Sequence, residues 1–128
     1  MSKTVLLLII LISSAQTKLQ NMTVQIGEIT CGDSDYFDDV LLQVWEKDIM
    51  KDDMLGEMRF NVSYPPQNIS IFVTEDEILT ISPYLIFQHS CTGTCVRSRM
   101  NIPSKYLGGI FESWRVDLNS TFDETKPC

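Results

Sequence analysis

The clearest indication of the fold is one apolar segment, Ile81-Ser82-Pro83-Tyr84-Leu85-Ile86-Phe87-Gln88-His89-Ser90-Cys91. It predicts a strand, because aromatic and β-branched residues fill a short apolar run that opens at a proline and closes on a histidine and a cysteine. A strand that ends on a cysteine is typical of proteins that fold outside the reducing cytosol. We therefore expect an exported, strand-rich protein.

The N-terminus has the three parts of a secretory signal peptide. Lys3 supplies a positive charge, residues 5–12 are an unbroken apolar run, and Ser13-Ser14-Ala15 supplies the small residues of a cleavage site. The apolar run is too short for a membrane span, which needs about 20 residues. The sequence predicts a signal peptide over residues 1–15, a mature domain over residues 16–128, and a secreted, extracellular protein without a transmembrane segment.

Most of the mature chain alternates apolar and polar residues with a period of two, which is the pattern of half-buried strands. We predict strands near residues 23–31, 42–45, 57–62, 69–73, 85–89, 96–102 and 114–118. Turn-forming residues interrupt them at 32–35, 51–53, 64–67, 75–77 and 108–109, and residues 104–108 suggest one helical turn. About seven short strands in one domain predict an all-β fold, an antiparallel two-sheet β-sandwich.

The chain has four cysteines, and all follow the signal peptide. Two disulfides are expected, with three possible connectivities. Cys91 and Cys95 bracket a glycine-centred loop, which favours a local bridge and leaves Cys31 to pair with Cys128. A zinc site is disfavoured, because secreted cysteines are usually oxidised.

The surface chemistry is acidic, with a formal net charge of −7. Such a charge repels nucleic acid and anionic lipid at long range, so binding to either needs a local basic patch. Arg97, Arg99, Lys105 and Arg115 are the residues that could build one, and Arg97, Arg99 and Lys105 are the candidate binding patch. Motifs for N-glycosylation occur at Asn21, Asn61, Asn68 and Asn119, and a glycan on any of them requires that the asparagine face water.

No set of residues predicts catalysis, a cofactor or a metal site. The single histidine, His89, has no nucleophile or metal-ligand partner in view, so we interpret it as a structural residue hydrogen-bonded to a loop. Two acidic segments lack the defined calcium-loop pattern and are interpreted as solvated loops: Asp33, Asp35, Asp38 and Asp39, and Asp48, Asp52 and Asp53. Trp45 and Trp114 lie in alternating strands, which favours the core over exposed binding anchors.

Several short segments occur along the mature chain in a characteristic order and spacing: Gly27-Glu28-Ile29-Thr30-Cys31, Val44-Trp45-Glu46-Lys47-Asp48, Phe60-Asn61-Val62, Pro83-Tyr84-Leu85, His89-Ser90-Cys91, Ile102-Pro103-Ser104-Lys105-Tyr106 and Cys128. By their order and spacing, the chain resembles the nematode transthyretin-like family of secreted proteins over nearly the whole mature sequence. The chain departs from the family at Arg59, where a glycine is usual, and in the last strand, where Trp114 to Leu118 replaces a Gly-x-x-x-Leu pattern.

The resemblance implies a transthyretin-like β-sandwich that is secreted, lacks a cofactor and acts without catalysis as an extracellular binding or bridging protein. Its partner would be an extracellular protein, glycan or lipid; one relative links phosphatidylserine on dying cells to an engulfment receptor. A small-ligand carrier is the alternative, although a carrier site of the vertebrate kind needs a tetramer, and a glycan on Asn119 would oppose that assembly. A hydroxyisourate-type hydrolase is disfavoured by the single histidine and the missing Tyr-Arg-Gly-Ser tail. We expect a monomer or dimer.

Overall fold

The computed structural model describes residues 18–32, 39–48, 50–61, 68–77 and 82–128. The predicted signal peptide, the acidic residues Asp33, Asp35 and Asp38, and the predicted turn at 64–67 lie outside these ranges. The strands are β1 (Lys18–Thr30), β2 (Asp39–Lys47), β3 (Asp53–Asn61), β4 (Ile69–Glu77), β5 (Ser82–His89), β6 (Val96–Asn101), β7 (Ile110–Asp117) and β8 (Glu124–Pro127). A 3₁₀ turn at Ser104–Tyr106 matches the predicted helical turn. Among the described ranges, no helix has the length and apolarity to cross a bilayer.

The strands form two sheets, which confirms the predicted all-β sandwich. A three-stranded sheet has the order β4-β1-β7, and a five-stranded sheet has the order β3-β2-β5-β6-β8. Neighbouring strands are antiparallel, with β1 and β7 as one parallel pair. Residues 82–89 of the apolar segment form β5, which lies at the centre of the larger sheet between β2 and β6.

A single apolar core fills the space between the sheets. On β2, buried and half-buried residues alternate, so that Val40, Leu42 and Val44 point inward as the period of two predicts. The other core residues come from both sheets and their connections: Met22, Val24, Ile26, Ile29, Ile69, Val73, Leu85, Phe87, Ile102, Val116 and Leu118.

The disulfide pairing predicted from the sequence is wrong. The structure joins Cys31 to Cys91 and Cys95 to Cys128. The first bond links the end of β1 in one sheet to the end of β5 in the other. The second follows from strand β8, which the sequence analysis did not predict: β8 pairs antiparallel with β6, Val96 lies opposite Pro127, and the next pair outward is Cys95 and Cys128. The backbone N–H of Cys128 donates to the Cys95 carbonyl at 3.2 Å.

The prediction that both tryptophans belong to the core is also wrong. Trp45 is half-buried on the outer face of β2, and Trp114 is 74% exposed. Trp45 occupies an outward position in the regular alternation of β2, between the buried Val44 and Glu46. For Trp114 the reason is a change of phase shared by β1 and β7. Buried residues run Met22, Val24, Ile26 and then Ile29 on β1, and the matching shift on β7 places two consecutive residues, Trp114 and Arg115, on the outside.

The chain also continues as strand where a turn was predicted at residues 75–77, since β4 extends to Glu77 opposite Lys18.

Candidate binding groove on the five-stranded sheet

The outer face of the five-stranded sheet carries a groove of about 320 Å³. Strand register builds it, because it places Trp45 opposite Tyr84, Ile86 opposite Arg99, and Arg97 opposite Lys126. The residues that line the groove are Trp45, Asp52, Tyr84, Ile86, Arg97, Arg99, Glu124, Lys126 and Pro127.

Aromatic rings form one wall of this groove. Trp45 and Tyr84 stack with their planes 7° apart and their centroids separated by 6.3 Å. The guanidinium carbon of Arg99 lies 3.7 Å from the centre of the Tyr84 ring, which is a close cation–π contact. The wall therefore combines apolar surface with a positive charge held flat against it.

Neutral amides hold Arg97 in a fixed orientation. Its Nη1 donates to Gln88 Oε1 at 2.7 Å and its Nη2 donates to Gln43 Oε1 at 2.8 Å. The indole N–H of Trp45 donates to the same Gln43 oxygen at 3.0 Å, and Gln43 Nε2 donates to Glu57 Oε2 at 3.0 Å. This network orients the guanidinium without neutralising its charge.

Arg99 is likewise held by a neutral partner, since its Nε donates to Asn101 Oδ1 at 2.8 Å. In the part of the chain that the structure describes, ion pairs join Arg115 to Glu28 and Lys126 to Glu124, and neither Arg97 nor Arg99 has a carboxylate oxygen within 4.0 Å. The acidic neighbours of Arg99 are Glu124, opposite it on β8, and Asp52, whose pKa its charge helps to lower. The two arginines are two residues apart on β6, so their Cα atoms lie about 7 Å apart on the same face. They present adjacent positive charges to a ligand.

A hydrogen bond between Tyr84 and Asp52 closes one end of the groove. The Tyr84 hydroxyl donates to Asp52 Oδ2 at 2.5 Å. Burial, and then the hydrogen bond to Asp52, raise the pKa of Tyr84 to about 12. The same hydrogen bond is the main reason that the pKa of Asp52 is lowered. At neutral pH this end carries a phenol and a carboxylate, which gives the groove a negative end and a positive middle.

The predicted basic patch is only partly assembled. Arg97 and Arg99 lie together, but Lys105 stands on the 3₁₀ turn with its Nζ 5.2 Å from the Tyr106 ring and does not line the groove. Lys126 takes its place, because the register of β6 and β8 sets it opposite Arg97. The Cys95–Cys128 bond fixes the same register, since antiparallel strands joined at these two residues set Arg97 opposite Lys126.

His89 has the structural role that its sequence context predicts. The ring is 2% exposed, the backbone N–H of Cys91 donates to its Nδ1 at 3.1 Å, and its Nε2 lies 3.4 Å from Ser98 Oγ. Burial lowers the pKa of His89. Because Nδ1 accepts a hydrogen bond, the folded protein holds the neutral imidazole.

Three carboxylates at the end of β2 and the start of β3 could hold a single cation. The oxygens of Glu46, Asp48 and Asp53 all lie within 4.8 Å of one another; Glu46 is buried, and the other two are exposed. Asp52, which the sequence analysis placed in the same acidic segment, instead bonds Tyr84 and the backbone N–H of Asp48.

The four sequon asparagines are described as well. Asn61, Asn68 and Asn119 are exposed at strand ends or turns, whereas Asn21 is half-buried within β1.

Comparison with known proteins is consistent with this architecture. The sequence model of the Transthyretin-like family (TTR-52) matches residues 26–103. Over 107 residues the chain is 33% identical to Transthyretin-like protein 16 of Caenorhabditis elegans, covering 80% of this chain and 77% of that relative. The family match runs from the last part of β1 through β6 and includes both arginines of the groove and the Trp45–Tyr84 stack. The chain belongs to the Transthyretin-like family.

Proposed function

We propose that this chain is a secreted, non-catalytic extracellular binding protein whose groove takes the anionic group of a partner. The observation that carries the proposal is the pair Arg97 and Arg99, which are fixed by neutral amides beside the Trp45–Tyr84 stack and have no described carboxylate partner.

The arrangement suits an anion that is attached to an apolar body. A guanidinium binds a carboxylate or phosphate through charge-assisted hydrogen bonds, which are stronger than neutral ones. Gln43 and Gln88 hold Arg97 in place before a ligand arrives, so binding loses less side-chain entropy. The stacked rings offer apolar surface to the remainder of the ligand.

Several features support a role without catalysis. His89 is buried, and both ring nitrogens lie near structural partners, so the ring is not available as a general base. In the described ranges every cysteine is disulfide-bonded, which removes thiolate nucleophiles. A hydroxyisourate-type hydrolase therefore has no support from this arrangement.

Export is supported by the signal-like N-terminus and by the two disulfides, because disulfides persist in oxidising compartments.

A monomer or dimer remains our proposal for the assembly. The groove volume of about 320 Å³ is at the low end for small-molecule sites, which favours recognition of a headgroup or side chain over enclosure of a whole ligand as in a carrier.

Phosphatidylserine is the ligand that we propose, since its headgroup offers both a phosphate and a carboxylate to two adjacent arginines. The net charge of −7 opposes an anionic membrane at long range, so attraction must come from the groove itself. A local contact of this kind is less sensitive to salt than steering by a whole basic surface.

The test is flotation of the secreted protein with phosphatidylcholine vesicles, with and without phosphatidylserine. We expect binding only when phosphatidylserine is present, and a loss of at least about tenfold, or 1.4 kcal/mol, for Arg97→Gln/Arg99→Gln. Arg115→Gln is the matched control, because Arg115 is already paired with Glu28 and belongs to the other sheet.

Competition separates the sources of the anion. Soluble phosphoserine that displaces the protein from vesicles supports recognition of the headgroup. Equal binding by wild type and Arg97→Gln/Arg99→Gln would rule out the groove as the lipid site, and equal binding without phosphatidylserine would rule out phosphatidylserine as the ligand.

A further inference from the structure

A second groove lies on the outer face of the three-stranded sheet. Its volume is about 660 Å³, and polar and apolar residues share its lining: Gln25, Ile26, Gly27, Asn68, Ile69, Ser70, Glu112, Ser113 and Trp114. This face is on the opposite side of the sandwich from Arg97 and Arg99, and nothing in the proposed function uses it.

A row of three residues crosses this groove: Asn68 just before β4, Gly27 on β1 and Trp114 on β7. The backbone N–H of Asn68 donates to the Gly27 carbonyl at 3.2 Å, and the parallel register of β1 and β7 sets Gly27 beside Trp114. Ile26 and Ile69 beside this row are buried, whereas Asn68 and Trp114 are exposed and line the groove. Strands are spaced about 4.8 Å apart, which puts Asn68 about 10 Å from Trp114 across the sheet.

Gly27 keeps the space above this row open. A Cβ atom at Gly27 would lie 2.8 Å from the backbone carbonyl oxygen of Trp114, which is too close for any side chain without a shift of the strand. The groove therefore has a low floor between two walls, one formed by Asn68 and the other by an exposed indole.

Trp114 is the most conspicuous apolar group on this face. It is 74% exposed, although Arg115 lies over its ring at 4.8 Å and is itself paired with Glu28 at 3.5 Å. An indole held in place but left uncovered has apolar area to bury, and the C–H face of a pyranose ring can cover it with release of water.

We propose that Asn68 carries an N-linked glycan whose first sugars lie across Gly27 and cover Trp114. Asn68-Ile69-Ser70 is a complete sequon, its asparagine is exposed, and its side chain stands in the wall of the groove. The backbone at Asn68 has φ of 48°, a conformation that asparagine tolerates better than other non-glycine residues. Gln25 and Glu112, which lie opposite each other on β1 and β7, supply polar groups for the sugar hydroxyls.

The covalent attachment point is what identifies the occupant. A glycan on Asn68 enters the groove from its own wall at a high effective concentration, so weak contacts suffice to keep it there. Asn119 provides the internal comparison, because its sequon lies in the turn after β7 and does not line this groove.

The experiment reads the exposure of Trp114 in protein secreted by eukaryotic cells. The chain has two tryptophans, so Trp45→Phe leaves Trp114 as the single reporter. In this background we compare acrylamide quenching of Trp114 for the intact sequons, for Ser70→Ala and for Thr121→Ala, with occupancy at Asn68 and Asn119 measured by mass spectrometry.

We expect the Asn68 glycan to be present and Ser70→Ala to raise the quenching constant at least about twofold, since a sugar stacked on one ring face shields about half of the indole. Thr121→Ala should leave it unchanged. If Ser70→Ala is not secreted, trimming the glycan enzymatically to its first sugar provides the same readout. An unoccupied Asn68, or a quenching constant that does not change on removal or trimming of the glycan, would overturn the proposal and leave the face open to another occupant.

Discussion

Replacing Cys31 and Cys91 together by alanine is expected to lower the free energy of unfolding by about 4 kcal/mol. This bond joins the end of β1 to the end of β5 with a sequence separation of 60, and it is the disulfide that links the two sheets. With n of about 60, the loop-entropy relation ΔS ≈ −2.1 − 1.5R ln n gives about 4.3 kcal/mol at 25 °C for the freedom that the unfolded chain regains.

The second disulfide provides the internal comparison. Its separation of 33 gives about 3.7 kcal/mol by the same relation. Strand β8, which it holds against β6, is exposed at every residue. Without the bond, β8 has little apolar burial to keep it docked, so the folded state also regains freedom and offsets part of the loss. Cys95→Ala/Cys128→Ala should therefore cost less than about 3.7 kcal/mol.

Urea unfolding combined with amide hydrogen exchange measures both effects. A loss of about 4 kcal/mol moves the midpoint by about 2 M when the slope is about 2 kcal/mol/M. Cys31→Ala/Cys91→Ala should weaken protection across both sheets, whereas Cys95→Ala/Cys128→Ala should weaken it mainly in β8. The reasoning fails if the second variant is the less stable one, or if non-reducing peptide maps join Cys31 to Cys128.

His89→Asn should remove a pH dependence of stability. Because the pKa of buried His89 is lowered, its contribution to stability is complete above the unfolded-state pKa of about 6.5 and is lost as pH falls below that value. Asparagine keeps a hydrogen-bond acceptor for the Cys91 N–H but does not titrate, so thermal melts from pH 7 to 5 should show a smaller loss for the variant. Tyr84→Phe should raise the pKa of Asp52 in an NMR titration. The ionised Asp52 contributes to stability above its unfolded-state pKa, and this contribution is lost as pH falls through its lowered folded-state pKa. The loss of stability at acidic pH should therefore be smaller in Tyr84→Phe. Gly27→Ala should destabilise by about 1–3 kcal/mol in thermal melts, because its Cβ meets a β7 backbone oxygen at 2.8 Å; Gly109→Ala, with its nearest contact at 3.7 Å, should be near neutral.

Local patterning was enough to predict the strands that bury a face. On β2 buried and less buried residues alternate, so the period of two in the sequence maps directly onto the sandwich. On β5 the residues from Pro83 to Phe87 are all buried, and the continuous apolar run predicted this strand. His89 was interpretable for a related reason: it ends an inward-facing series, and the nearby backbone N–H of Cys91 satisfies it.

Strand β8 could not be found in this way. Glu124-Thr125-Lys126-Pro127 is exposed throughout and has no apolar alternation, so its position depends on non-local pairing with β6 and on the Cys95–Cys128 bond. The error in the disulfides and the omission of Lys126 from the groove thus have one cause. The short loop between Cys91 and Cys95 suggested a local disulfide. The register of β8 against β6, which the sequence pattern does not reveal, instead brings Cys95 next to Cys128.

The wrong prediction that Trp114 belongs to the core has a different cause. Trp114 has the same parity as the buried Val116, so a strict period of two predicts it inward; the shared phase change in β1 and β7 turns it outward instead. Gly27, on the neighbouring strand, is the one local cue, because a glycine within a strand often marks an irregularity or a close backbone approach.

The same irregularity explains how one small sandwich can carry two independent surfaces. The regular alternation of β2, β5 and β6 aligns the aromatic and arginine side chains of the first groove on one outer face, whereas the break in alternation at Gly27 opens the second groove on the other. The packed core separates the two faces, so occupancy of one adds no charge and no contact to the other. A glycan that covers Trp114 would thus block the face that Arg97 and Arg99 do not use, and would direct a partner to the five-stranded sheet.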